Sequence, residues 1–350
     1  MKLFNLSLIA AAVLGAAPVH TTFAQQSAVA DLSKRASASA PKAVAKPRAA
    51  ESGAADAGTR APLTPADLMA IDNSATLARI RSQQKITIAF SKTASPFSVV
   101  ESDGSPHGFT IDLCTKIALA IQKQLKLSTL RLEFISPPFA DRLQAVKDGK
   151  ADMECANTIG NDERKQTLGF SLPIFLTVSK VLVKSESAAN NLTALRGRNV
   201  VTTTGSASER IFKIINQKFL VDANLVTRPT AAEAFTALGK GEADAFFMSD
   251  IVLYDLLAKT PDATQYRVLR DAYSVDGIAI VLARNDVGMK VLVDKELKRM
   301  MSDEEIGKLY TKWFASPIPP NNVNLNLRMN QLTRDHYKRP SDDLKFNALF

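Results

Sequence analysis

DRLQAVKDGKADMECANTIGNDER, Asp141 to Arg164, is the stretch from which the rest of the chain can be read. Residues 140 to 148 carry apolar side chains at helical spacing, and residues 151 to 155 form a short strand-like run. A polar loop follows, then an acidic pair, Asp162-Glu163, placed directly before Arg164. The continuation to Phe175 closes with Phe170-Ser171 and Pro173-Ile174-Phe175. A planar guanidinium beside exposed backbone amides at the mouth of a βα unit suits two-pronged capture of a small carboxylate. The competing reading is a charged cluster that merely solvates a helix start. The flanking segments weigh against it.

Working outward, the same alternation recurs on both sides. Ile86 to Phe90 is a short apolar run, Thr110 to Leu125 has helical spacing, and Thr129 to Ile135 alternates. This βαβαβ rhythm predicts a mostly parallel sheet covered by helices. Ser179 to Lys184 alternates as Ser-Lys-Val-Leu-Val-Lys. A second series starts at Asn199 with a strand, a turn at Gly205 and a helix from about Ser208. Leu225-Val226, a helix over 231 to 240 and a strand over 243 to 248 follow. Residues 278 to 283 read as one more strand, and an amphipathic helical region runs to Phe314. The residues by themselves predict two α/β units.

Composition sets the outer limits. A chain of 350 residues with 46% hydrophobic content has material for two cores. Lys2, the apolar stretch from Leu6 to Ala17 and Thr22-Phe23-Ala24 predict a signal peptide, residues 1–24, cleaved after Ala24. No later run approaches the ~20 apolar residues of a membrane span, and no cysteine near the cleavage site offers a lipid anchor. Residues 25–62 are rich in Ala, Ser, Pro and basic residues, with six Lys/Arg against three Asp/Glu, and read as a disordered spacer. The formal net charge of +9 is scattered without aromatic interleaving. It therefore excludes a nucleic-acid partner, leaving a field that draws in anionic solutes, or no role. Cys114 and Cys155 can approach one cleft edge, and either a bridge or two buried thiols is open to them, with the thiols slightly favoured. His20, His107 and His336 fall in the signal, a turn and the tail, and no metal-ligand, phosphate-loop or nucleophile spacing occurs. No metal or cofactor is expected.

Several segments carry a resemblance. ITIAFSKTASPFS (86–98), GFTIDLCTKIA (108–118), the quoted stretch, VVTTTGSASE (200–209), GKGEADAFFMSD (239–250) and KWFASPIPPNNVNLN (312–326) resemble, in order and spacing, the periplasmic amino-acid-binding proteins of ABC importers. The likeness is greatest to the glutamate/aspartate-binding branch. The resemblance implies an α/β, two-lobed, type II periplasmic-binding-protein fold, each lobe a mostly parallel sheet flanked by helices. It places lobe 1 at 81–177 plus 278–325, lobe 2 at 178–277, and a C-terminal tail at 326–350. It also implies a monomer in the periplasm that hands a small carboxylate to an ABC permease, with a separate ATPase supplying the energy.

Carried over residue by residue, the resemblance assigns Arg164 to the ligand α-carboxylate, with Asn157, Thr158 and Ser206 beside it. Ser208 with Glu209 reads as ordinary helix capping just beyond. Phe139 matches a position that is an aromatic wall in some members and a serine in the acidic branch, and Arg142 matches that branch and suits a second carboxylate. Phe97 is expected in the core. Three departures stand out. Ser91 replaces an arginine, with Lys92 adjacent; Ile159 replaces a hydroxyl residue; and Ser249 replaces the aspartate that pairs with the ligand ammonium. The usual amino-acid site is then incomplete unless Asp250 or Glu209 substitutes, because an unpaired ammonium in a closed cleft costs several kcal/mol; if no residue does, keto or dicarboxylic acids are expected to outcompete their amino analogues. A dehydratase-like enzyme on the same fold is the rival reading, with Glu154 and Glu209 as the only candidate acids. A sensory ligand-binding partner uses the same chemistry.

Overall fold

A strand buried on both faces of a parallel sheet must be apolar almost throughout, and β1 (Lys85–Phe90) is buried at every position after Lys85. The computed structural model describes residues 62–101, 103–319 and 322–342, all within one compact unit, Glu51–Phe350. The expected leader falls outside the described residues, as does the spacer up to residue 61.

Two short helices that the sequence reading did not assign precede β1. These are α1 (Pro65–Asp72) and α2 (Ala75–Gln83). Thr64 caps the first, its Oγ1 accepting from the Asp67 amide while the Asp67 carboxylate accepts from the Thr64 amide. After β1 come β2 (Thr93–Ala94), β3 (Ser98–Val100) and β4 (Pro106–His107), a small separate sheet. The turn into α3 (Phe109–Gln124) runs through Gly108 at φ 137°, where a Cβ would lie 2.1 Å from the Phe97 carbonyl oxygen. Only glycine fits there.

The first sheet has the order β5-β1-β6-β14-β7, built from β5 (Arg131–Ile135), β6 (Met153–Cys155), β7 (Leu168–Phe170) and β14 (Val281–Ala283). β5, β1 and β6 are parallel, and β14 is antiparallel to both β6 and β7. Helix α4 (Phe139–Lys147) connects β5 to β6, and α5 (Asp162–Lys165) is a single turn before β7. Cys114 on α3 and Cys155 at the end of β6 are joined in a disulfide, with Cα atoms 6.5 Å apart. This corrects the preference for two thiols: α3 packs on β6 so that the two sulfurs face each other.

The long strand β8 (Phe175–Lys184) leaves this sheet for the second one, ordered β10-β9-β11-β8-β12. Its members are β9 (Asn199–Thr203), β10 (Asn224–Arg228), β11 (Ala245–Ser249) and β12 (Tyr266–Val268). Between them lie α6 (Ala207–Lys218), α7 (Ala231–Lys240) and α8 (Asp250–Ala258). β13 (Val275–Ile278) returns antiparallel to the first half of β8. The single strand expected over 278 to 283 is therefore two strands, β13 in the crossover and β14 in the first sheet. The helical region to Phe314 is likewise divided, into α9 (Val287–Ser302) and α10 (Glu305–Phe314), with Glu304 at φ 57° between them.

Phe97 is fully buried, as expected, in a cluster with Phe109, Phe175 and Phe314 whose ring centroids lie 5.0 to 6.2 Å apart. The Lys-Trp-Phe segment is a fastener. Lys312 Nζ and Trp313 Nε1 both donate to Asp112 Oδ2 at 2.7 Å, tying α10 to α3. Part of the predicted tail is also structured. α11 (Gln331–Lys338) docks against the chain just before β8, where His336 Nε2 lies 2.8 Å from the Pro173 oxygen and Tyr337 donates to the Ile174 oxygen at 2.6 Å. His336 is buried, which pushes its pKa down.

Candidate functional site

Ligands of open α/β sheets bind beyond the carboxyl ends of the strands. Here β1 ends at Phe90, β6 at Cys155, β9 at Thr203 and β11 at Ser249. The loops after these strands supply most of the residues the sequence nominated.

On the lobe-1 side, α4 begins with Phe139 and buries Arg142, whose Nε donates to Glu154 Oε1 at 3.0 Å. Thr158 donates to the same oxygen at 3.0 Å, while Glu154 Oε2 is buried with no hydrogen-bond partner. Burial pushes the Glu154 carboxyl up, against the pull of Arg142, Thr158 and Arg164. The partner of Arg142 within the protein is thus Glu154. Its two Nη groups have no protein acceptor among the described residues.

Arg164 is held by a turn that its own loop builds. Asn161 caps α5, its side-chain oxygen accepting from the Arg164 amide at 2.9 Å. Nη1 donates to the Ile159 oxygen at 2.9 Å, and Nη2 donates at 3.3 Å to the Gly205 oxygen in the loop after β9. Arg164 therefore crosses from one sheet's loops to the other's. Phe139, 37% exposed, lies under both guanidinium groups, 5.1 Å from Arg164 and 5.2 Å from Arg142. Burial lowers the Arg164 pKa, Glu154 and Glu163 oppose the shift, and Arg210 adds to it. The group stays cationic at neutral pH.

On the lobe-2 side the capping residue is Ser206, not Ser208. Ser206 Oγ accepts from the Glu209 amide at 3.1 Å, whereas Ser208 Oγ is buried without a partner. The helix starts at Ala207, earlier than expected, which moves the cap forward. Glu209 accepts from the Gly205 amide at 2.7 Å and pairs with Lys213 at 2.6 Å. Asp250 is also engaged, its Oδ1 accepting from Thr177 Oγ1 at 2.6 Å, the Val178 amide at 3.2 Å and the Ile251 amide at 2.8 Å. Both candidate substitutes for the ammonium partner thus already accept hydrogen bonds within the protein.

Ser249 is buried at the end of β11, in register with Ser179 of β8. Ser91 is buried in a turn, its Oγ accepting from the Thr93 amide at 3.3 Å, while Lys92 is exposed. Asn157 lies half-buried beside the Thr158–Glu154 pair.

The sequence reading missed two charged groups, Arg210 on α6 and Asp276 on β13. Arg210 helps to lower the Arg164 pKa and opposes the burial-driven rise of the Asp276 carboxyl. Asp276 had a visible signal, a lone carboxylate in the apolar run Val275 to Leu282. Arg210 looked like any charge on a helix surface. Among the described residues no group of three or more His, Cys, Asp and Glu could hold a metal ion, and no helix is long and apolar enough to cross a membrane.

Comparison with known proteins matches the sequence to a family. The sequence model of the bacterial extracellular solute-binding proteins, family 3, matches residues 86–316. The L-glutamate/L-aspartate-binding protein of Pseudomonas aeruginosa is 31% identical over 283 residues, covering 81% of this chain and 94% of that protein. The glutamate/aspartate import solute-binding protein of Escherichia coli is 27% identical over 280 residues, covering 80% and 93%. Among solved structures, an ancestral amino acid-binding protein described as a precursor of cyclohexadienyl dehydratase superposes with a TM-score of 0.58 at 25% identity, covering 68% of this chain and 98% of that one.

Proposed function

The chain belongs to the bacterial extracellular solute-binding proteins of family 3, and on that premise we propose that it is a receptor for a small carboxylate of the glutamate and aspartate class. The observation that carries this reading is Arg164. Its half-buried guanidinium lies on the Phe139 ring and reaches the Gly205 oxygen of the facing loop. A carboxylate entering between the loops exchanges with that carbonyl and gains a charged, two-pronged partner. The names of the P. aeruginosa and E. coli relatives support the ligand class.

The remaining parts of the reading follow from the same premise. The protein is exported, with cleavage near Ala24, works as a monomer in the periplasm and delivers its solute to an ABC permease. Arg142, Asn157, Thr158, Phe139 and Ser206 line the site with Arg164, and Ser91 and Ser249 lie at its edges. The chain performs no chemistry of its own in this reading. Glu154 pairs with Arg142 and Glu209 with Lys213, which supports a structural role for both carboxylates.

Isothermal titration of the purified protein tests the proposal. L-glutamate or L-aspartate should bind, and Arg164→Ala should lose about 2 to 5 kcal/mol, as when one partner of a desolvated charge pair is truncated. Arg164→Lys should recover only part of that loss, having no planar fork. A folded Arg164→Ala protein with unchanged affinity would refute it.

A further inference from the structure

Two charged groups on the lobe-2 side of the cleft have no use in the site as described so far. Arg210 stands in the first turn of α6, and its Nε is buried without a hydrogen-bond partner. Its charge repels that of Arg164 and attracts the Asp276 carboxylate. Among the described residues no carboxylate lies within 4.0 Å of its guanidinium. Asp276 is partly buried on β13, where the Ser274 hydroxyl donates to its Oδ2 and sits 2.8 Å from the Ser179 hydroxyl. Burial pushes the Asp276 carboxyl up, and Ser274 and Arg210 resist that rise.

Each group lacks something specific. Two guanidinium groups that repel each other are both satisfied by one anion between them. A carboxylate withdrawn from water with a single hydroxyl donor is short of positive charge. The head group of an α-amino acid offers both, because its carboxylate and ammonium hang from the same carbon. The protein groups that read it must therefore be neighbours: Arg164 reaches the Gly205 oxygen, five residues before Arg210, and the Gly160 amide in the Arg164 loop donates at 3.1 Å to the oxygen of Gly277, next to Asp276.

We infer that Arg210 and Asp276 complete an amino-acid head-group site, Arg210 sharing the ligand carboxylate with Arg164 and Asp276 taking the ammonium. The inference rests on the receptor reading above. It supplies the counter-charge that Ser249 cannot provide, while Asp250 accepts from Thr177 and Val178 and Glu209 pairs with Lys213. Arg142, whose Nη groups have no protein acceptor, remains for a second carboxylate on the Phe139 side. The ligand is then an acidic amino acid rather than an amine-free diacid.

The test is calorimetric titration of wild type, Asp276→Asn and Arg210→Gln with L-glutamate, L-aspartate, 2-oxoglutarate and succinate. Wild type should bind its preferred amino acid at least tenfold more tightly than the amine-free counterpart, a readout that needs no variant. Asp276→Asn should lose at least tenfold for the amino acids and less than threefold for the amine-free acids. Arg210→Gln should weaken both classes at least tenfold, with Arg210→Lys restoring part. Wild type that binds the amine-free acids as tightly as the amino acids, or an Asp276→Asn protein that binds glutamate and aspartate as wild type does, overturns the assignment alone. Wild type that binds none of the four overturns the receptor reading, and the assignment with it.

Discussion

Replacing Arg142 with methionine removes the counter-charge of a fully buried carboxylate while keeping most of the side-chain volume. Glu154 then has Thr158 as its one hydrogen-bond partner, and its Oε2 has none already. The penalty has a ceiling, because the carboxyl can take up a proton instead of staying charged. From the ordinary glutamate value of 4.5, forced protonation at pH 7 costs at most about 3.4 kcal/mol, at about 1.36 kcal/mol per unit. At pH 5.5 the same ceiling is about 1.4 kcal/mol. The sign follows from the raised folded-state pKa. Stability is full below the unfolded value and is lost as pH rises through the folded one, and removing Arg142 extends that loss to higher pH. Urea denaturation of wild type and Arg142→Met from pH 5 to pH 8 should therefore show a deficit that grows with pH. A deficit constant across that range would mean lost packing alone, and no deficit would mean that the pair contributes nothing; either result refutes the reasoning.

Three further outcomes are expected. Asp276→Asn should raise the melting temperature of the ligand-free protein at pH 7, since it removes a carboxyl whose pKa burial has raised; the gain should vanish below the ordinary aspartate value of 3.8, as a pH series of melts would show. Replacing both Cys114 and Cys155 with alanine should cost about 4 kcal/mol by the chain-entropy relation for a separation of 41 residues, read from denaturation midpoints, with glutamate affinity kept. Gly108→Ala should lower the melting temperature sharply or abolish folding, because φ 137° and the 2.1 Å approach to the Phe97 oxygen leave no room for a methyl group, and calorimetric melting will show it.

The elements legible in the sequence were those whose pattern is set locally. Residues 231 to 240 alternate at helical spacing behind Thr230, and the helix Ala231–Lys240 forms there. Arg164 could be read because its flanking loop, cap and strand lie within a few residues of one another. The losses came where chain topology decides. Whether residues 278 to 283 make one strand or two depends on which sheet each half joins, and nothing local states it. Cys114 and Cys155 lie 41 residues apart, and only the seating of α3 on β6 brings them together. Arg210 follows Glu209 as an ordinary helix-start charge would; its influence on Arg164 exists only once the chain has folded. α1 was overlooked although Thr64-Pro65-Ala66-Asp67 announces a capped start.

The strand β8 is gripped at two points along its length. α11 holds the Pro173 and Ile174 carbonyls just before it, and Asp250 holds Thr177 and Val178. Between the grips lie Phe175 and Leu176, paired with Ile278 and Gly277 of β13. Bending concentrated there is spread over a few dihedrals on each strand, each of which tolerates scatter of about 15 to 20°. Two strands joining two sheets are the connection that a hinge between them requires, and the residues at 175, 176, 277 and 278 are where such a hinge is expected to bend. Substitutions there should alter association and dissociation rates together and leave their ratio almost unchanged.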